Sequence, residues 1–163
     1  MMIKEQCRSL KLPAMSSETK DNKHIIIWDF DNIKLYDVLK SLSYAQKRNG
    51  LGYIYIFKTL WGYNAICLDK FHIKEVKEIK LNTRFSDYWH TQIGYTQGSW
   101  CWFINNSDKR LIKVMPYTSN YKKREQSNAH RLYLKKIYDI DINFGKFDKY
   151  TTIETKIFEK DMI

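Results

Sequence analysis

Ile25, Ile26, Ile27 and Trp28 lead into two carboxylates, Asp29 and Asp31, set on either side of Phe30 in the stretch HIIIWDFDN (24–32). In a strand, side chains two residues apart point the same way, so the two carboxylates share one face. Like charges held together are costly unless water, a cation or a hydrogen bond relieves them. Mg²⁺ and Mn²⁺ favour such oxygens, particularly where phosphates complete the shell. The structural alternative is that Asp31 ends the strand, Asn32 turns the chain and one of them caps the following helix.

A second stretch with chemical content is FKTLWGYNAICLDK (57–70). Lys58 and Thr59 end one strand, Gly62 permits a close backbone approach, and Tyr63 with Asn64 begins the next strand. A phosphate or sugar would meet Lys58, the Thr59 hydroxyl and the Asn64 amide there, with Trp61 or Tyr63 stacking on a base. The alternative is a plain hairpin whose turn needs a glycine. Residues 83–99, TRFSDYWHTQIGYTQGS, show no clear period and carry Arg84, Asp87, Trp89 and His90, which reads as an insertion or site loop. The stretch YKKREQSNAHRLYLKKIYDI (121–140) reads as a basic helix, with Ala129, Leu132 and Ile137 inward and Lys122, Lys123, Arg124, Arg131 and Lys135 outward. Lys122, Lys123 and Arg124 are its candidate nucleic-acid contacts.

The elements that must position these residues follow from hydrophobic period. HIIIWDF reads as a buried strand, and IKLYDVLKSLSYAQK (33–47) as a helix with Leu35, Val38, Leu39 and Leu42 on one face, closed by the turn residues of RNGLG (48–52). YIYIF (53–57) and YNAICL (63–68) read as hairpin partners, and HIKEVKEIK (72–80) as a helix on Ile73, Val76 and Ile79. Adding a strand from WCWFI (100–104) or LIKVM (111–115) gives a β-α-β-β-α-β order, the α/β (α+β) pattern of a ferredoxin-like or RRM-like sheet. Helices then cover one face, and the other is open or covered by the second half of the chain. This organisation divides the sequence into a flexible tail (1–23) and a single domain (24–163), with an RRM-like core over about 24–115 and a C-terminal extension over 116–163.

Composition narrows the partners. Among 163 residues, 28 Lys and Arg against 18 Asp and Glu leave a formal charge of +10, and aromatics make up 15% of the chain. A basic, aromatic-rich chain favours single-stranded DNA or RNA. Cys7, Cys67 and Cys101 are widely separated, so neither a zinc pair nor a disulfide framework is legible, and His24, His72, His90 and His130 lack metal-ligand spacing. An intracellular protein of a cell or virus-infected cell fits this cysteine usage. No apolar run reaches the roughly 18 residues of a membrane span, and residues 1–23 are too polar for a secretory signal. Neither a Walker loop nor G-x-S-x-G occurs, which removes support for the nucleotide-triphosphatase and serine-hydrolase classes.

The D-x-D of IIIWDFDN at the end of a first strand, the RRM-like order and GYN (62–64) at a small-x-His position together resemble the archaeo-eukaryotic primase superfamily, which includes the primase-polymerases. The resemblance covers about residues 24–115. It implies a nucleotidyltransferase of replication in a cell, virus or mobile element, with Mg²⁺ or Mn²⁺ on Asp29, Asp31 and a third carboxylate. Asp87 is the first candidate for the third, and Asp139 or Asp141 lies further downstream. It also implies that Asn64, standing where the family has histidine, contacts an incoming nucleoside triphosphate whose charge Lys58 and Arg84 neutralise. A second reading is a non-catalytic single-stranded nucleic-acid binding module with an RRM-like sheet. In a third, IIIWDFDNI resembles the first motif of haloacid-dehalogenase-type phosphatases, with Asp29 as nucleophile, Asp31 as acid/base and Ile33 in place of the usual Thr or Val.

Overall fold

A computed structural model describes residues 14–103 and 109–138. In chain order these form β1 (Ala14–Ser16), β2 (His24–Asp31), α1 (Leu35–Asn49), β3 (Ile54–Lys58), β4 (Gly62–Phe71), α2 (Ile73–Leu81), α3 (Tyr88–Gln97), β5 (Cys101–Phe103), β6 (Arg110–Met115) and α4 (Asn128–Tyr138). The fold is mixed α+β, with two antiparallel sheets and four helices among the described residues. No helix among the described residues is long and apolar enough to cross a membrane.

Apolar alternation and register build the main sheet in the order β2-β4-β3-β6. β4 is its centre, pairing antiparallel with β2 (Asp29↔Asn64, Asp31↔Gly62) and with β3 (Phe57↔Asn64, Lys58↔Tyr63). β2 and β3 therefore run parallel to each other, joined by α1. Of the two candidate fourth strands, LIKVM enters this sheet as part of β6, whereas Cys101–Phe103 of WCWFI form β5 and pair with β1. A ferredoxin-like sheet sets its fourth strand beside the first, but here β6 lies at the opposite edge, beside β3.

Residues directly opposite in antiparallel strands share a face, so Asp29, Asn64 and Phe57 form one row across β2, β4 and β3. The alternate face carries Trp28, whose Nε1 donates to Thr83 Oγ1 at 3.1 Å just beyond α2. The row that includes Phe57 is covered by the second half of the chain: the Phe57 ring lies 5.0 Å from Trp102 of β5 and 5.0 Å from Tyr138 of α4. Both faces are thus packed, and every β2 residue from His24 to Trp28 is buried.

α1 buries Val38, Leu42 and Ala45 and ends where Gly50 adopts φ 62°, the left-handed conformation that the glycine of RNGLG permits. Its N-cap is Lys34, which makes no side-chain capping bond, so neither Asp31 nor Asn32 caps it. Asn32 instead turns the chain at φ 59°. α2 buries Val76 and Ile79 as its period requires, and Lys80 with them.

Three expectations change. Residues 14–23 are not a free tail, because Ala14 and Met15 are buried and the Ser17 carbonyl accepts from the Ile25 amide at 3.0 Å; residues 1–13 lie outside the described residues. The loop expected at 83–99 contains α3, which is capped by Asp87 at its start and by Gly98 (φ 89°) at its end. The basic helix begins only at Asn128, since an isolated bridge pairs Gln126 with Asp69 in extended form; it buries His130, Leu134 and Tyr138, Ile137 packs partly buried against the core as expected, and Ala129 and Leu132 are exposed.

Candidate functional site

Three carboxylates converge at one end of the main sheet. β2 supplies Asp29 and Asp31, the turn before α3 supplies Asp87, and one oxygen of each lies within 4.8 Å of the others. The Asp87 amide donates to the Asp29 carbonyl at 2.8 Å, which ties the start of α3 to the end of β2. Asp87 Oδ1 also accepts from the His90 amide at 3.1 Å, so the residue is helix cap and cluster member at once. Asn64, opposite Asp29 in the sheet, donates from Nδ2 to Asp29 Oδ1 at 2.8 Å and orients that carboxylate.

The electrostatics reflect crowding and burial. Burial first, then the charges of Asp31 and Asp87, hold the Asp29 carboxyl up at about 6 against the pull of Lys109 and Lys80. Partial burial and the Asp87 charge raise Asp31 as well. Two buried lysines stand beside the cluster. Lys80 Nζ lies 3.1 Å from His90 Nδ1 and 4.4 Å from the Trp100 ring centroid, and burial pushes it well below the ordinary lysine range. Lys109 Nζ donates to the Phe103 carbonyl and lies 4.3 Å from the Trp102 ring centroid, with burial lowering it to about 8. Burial and these two lysines hold His90 down at about 3, so the ring is neutral at physiological pH, with its Nδ1 bonded to Lys80 Nζ.

A cavity of about 370 Å³ opens here, lined by Asp29, Asp31, Asn64, His90 and Lys109, with Trp61 among its other walls. Hard carboxylate oxygens of three residues from two segments form a donor set that suits Mg²⁺ or Mn²⁺. Lysine and amide N–H groups at the same cavity suit a phosphate.

No family model, curated protein or solved structure matches this chain. The functional reading therefore stands on its own residues.

Of the residues singled out in the sequence, Asp29, Asp31, Asp87 and Asn64 come together; Asp139 and Asp141 lie outside the described residues. Asn64, only 9% exposed, gives its amide N–H to Asp29. Lys58 and Thr59 serve their own turn. Lys58 Nζ donates to the carbonyls of Thr59 and Gly62, at 2.7 and 3.2 Å, and Thr59 Oγ1 accepts from the Gly62 amide. Trp61 is 70% exposed, whereas Tyr63 is half-buried with Lys58 over its ring. Arg84 is exposed and lies over the Phe85 ring.

Lys122, Lys123 and Arg124 are elsewhere. Arg124 reaches Asp69 Oδ2 at 3.6 Å, and Asp69 follows Asn64 by five residues on β4, roughly 17 Å at strand rise. Lys122 and Lys123 are exposed there. The Arg124 guanidinium donates to the Gly50 and Asn49 carbonyls at 2.8 and 2.7 Å, closing the C-terminus of α1 as well as facing the buried Asp69. Arg124→Ala is expected to lower stability by about 2 kcal/mol, a melting drop of about 4–8 °C. Thermal melting of the two proteins will register the loss.

Lys80, His90 and Lys109 were the residues of this site that motif reading did not single out as ligands or donors. A signal exists for Lys80 alone: it falls four residues after Val76, on the inward stripe of α2.

Proposed function

We propose that this chain is a nucleic-acid-acting protein whose aspartate cluster supports metal-dependent nucleotidyl transfer, in the manner of a diverged primase-polymerase. The observation that carries the reading is the convergence of Asp29 and Asp31, from the end of β2, with Asp87, from the turn before α3, to within 4.8 Å. Their strand end, their cavity and the β2-α1-β3-β4-α2 order agree with the resemblance of the D-x-D stretch. The position of β6 departs from it.

Asp29, Asp31 and Asp87 would hold Mg²⁺ or Mn²⁺, which when bound neutralises phosphate charge and lowers the pKa of a 3′ hydroxyl. The protein's own residues do the rest. Asn64 fixes the Asp29 carboxylate through its N–H. Lys109, facing the same cavity, offers a cation to the triphosphate. His90, neutral and held by Lys80, keeps an uncharged wall there. Asn64 replaces a group able to become cationic, and Lys109 brings to the same cavity a cation that such a histidine would otherwise supply.

The non-catalytic alternative would stack bases on an open sheet face. That face is covered here by β5 and α4, so the catalytic reading is the one developed.

Incorporation of labelled nucleotide on a primed single-stranded template with Mn²⁺ tests the proposal. Asp29→Asn, Asp31→Asn and Asp87→Asn should each lower it by about a hundredfold or more. Asp87→Asn is the sharpest arm, since Asn still caps a helix well and the fold is retained. Equal activity in wild type and Asp87→Asn would overturn the assignment of the third carboxylate, and no incorporation by the wild type would overturn nucleotidyl transfer.

A further inference from the structure

We propose that the outer face of α3, together with Trp61, is a stacking surface for the unpaired bases of a single-stranded nucleic acid whose backbone passes the aspartate cluster. The proposal rests on the phosphate-handling reading of that cluster and adds where the bases go. The first observation is chemical. In a chain with 28% charged residues, the ten residues of α3, YWHTQIGYTQ, include no Asp, Glu, Lys or Arg. Thr91 and Gly94 face the interior, and Gly94 lies so close to Trp100 that a Cβ would collide with the indole, which fixes the rotation of the helix. Tyr88, Trp89 and Ile93 are left exposed, and Trp89 is 70% so. An uncharged, aromatic outer face is the reverse of what a solvated helix presents.

The second observation is placement. Tyr88 and Trp89 follow Asp87 directly, their rings edge to face at 5.3 Å. Across the cluster, Trp61 tips the β3–β4 hairpin, and its carbonyl accepts from Asn32, the residue after Asp31. Exposed aromatics thus stand on both sides of the carboxylates, and the α3 face is continuous in sequence with one of them.

Charge selects the occupant. Arg84 is exposed just before Asp87, and Lys77 Nζ lies 4.2 Å from the centroid of Tyr95 on α3, so the apolar face is flanked by cations. A second copy of this chain would bring another +10 of charge to that face. A polyanion with flat, uncharged bases fits both requirements, and only unpaired bases offer their faces to stacking.

Trp89→Ala and Trp89→Phe are the variants to compare, because an exposed side chain can be removed without unfolding the protein. With labelled oligothymidylate, fluorescence anisotropy should show Trp89→Ala binding roughly fivefold to a hundredfold more weakly than wild type. Trp89→Phe should stay close to wild type, and melting temperature and affinity for blunt duplex should be the same in all three. Wild-type affinity in Trp89→Ala would overturn the stacking surface. So would a dimer that Trp89→Ala dissociates with oligonucleotide affinity unchanged, which would give the face to a second copy. The Mn²⁺ melting shift, read on the same samples, separates the two levels. Its absence from the wild type alongside weak binding by Trp89→Ala would remove the metal reading and keep the surface.

Discussion

Millimolar Mn²⁺ should raise the melting temperature of the wild type and leave that of the Asp29→Asn, Asp31→Asn double variant unmoved. A cation at a hundred times its dissociation constant stabilises the folded state by about 2.7 kcal/mol, which for a chain of this size is a rise of about 5–10 °C. Without metal the order should invert, the double variant melting above the wild type. The Asp29 carboxyl has its pKa moved from 3.8 to about 6 by burial and by Asp31 and Asp87. The folded state therefore takes up a proton before the unfolded state does, and stability contributed by this group falls as pH rises through that window. Above pH 6 the cost is fully present, at most about 3 kcal/mol and less where solvent screens the pair. Metal-free wild type should accordingly gain stability between pH 7 and pH 4 relative to the double variant. A helix-cap role predicts neutral or destabilising substitutions, and Lys34 already occupies the cap of α1. A wild type with no Mn²⁺ response would leave Asp29, Asp31 and Asp87 as residues of the fold and remove the metal reading.

How much of this site was legible depends on whether period or position carries the signal. β2, α1, the β3–β4 hairpin and α2 lie where apolar runs and 3.6-residue spacing put them, because the strands are buried on both faces and each helix buries one. α3 defeated that reading for a physical reason. Its exposed face is as uncharged as its buried one, so no amphipathic stripe exists, and only Asp87 and Gly98 at its ends mark a helix. β1, three residues long, has no room for a pattern. The edge taken by β6 is defined by its pairing with β3 (Ile54↔Met115, Tyr55↔Val114), a contact between segments far apart in sequence that local order does not encode. The D-x-D pair could be read from strand alternation alone. Its third member lies on another element, and Lys109, set among charged neighbours in SDKR, gives no sign in the sequence that it is buried beside the cluster.

Gly62→Ala should be among the most damaging single substitutions in the protein, although it adds one methyl group to a surface hairpin. Gly62 pairs with Asp31 across β2 and β4, and the two main chains come so close that a Cβ at Gly62 would collide with the Phe30 carbonyl. The obstacle is backbone, which cannot rotate aside as a side chain would. Gly62 is also bonded on both sides: its amide donates to Thr59 Oγ1 at 3.1 Å, and its carbonyl accepts from the Thr59 amide at 2.9 Å and from Lys58 Nζ. Relieving the collision means either opening this turn or moving the end of β2. We expect a loss of about 3 kcal/mol or more, a melting drop of about 6–12 °C. Trp61→Ala is the control, since it removes an exposed side chain one residue away and should change stability by about 0.5 kcal/mol at most. The site should suffer beyond the stability loss. The end of β2 carries Asp31, so displacing it parts that carboxylate from Asp29 and Asp87, and the Mn²⁺ shift of the folded Gly62→Ala protein should shrink or vanish. Unchanged melting in Gly62→Ala would refute the close approach of β4 to Phe30. A destabilised variant with a full Mn²⁺ shift would instead show that Asp31 is dispensable for the cation.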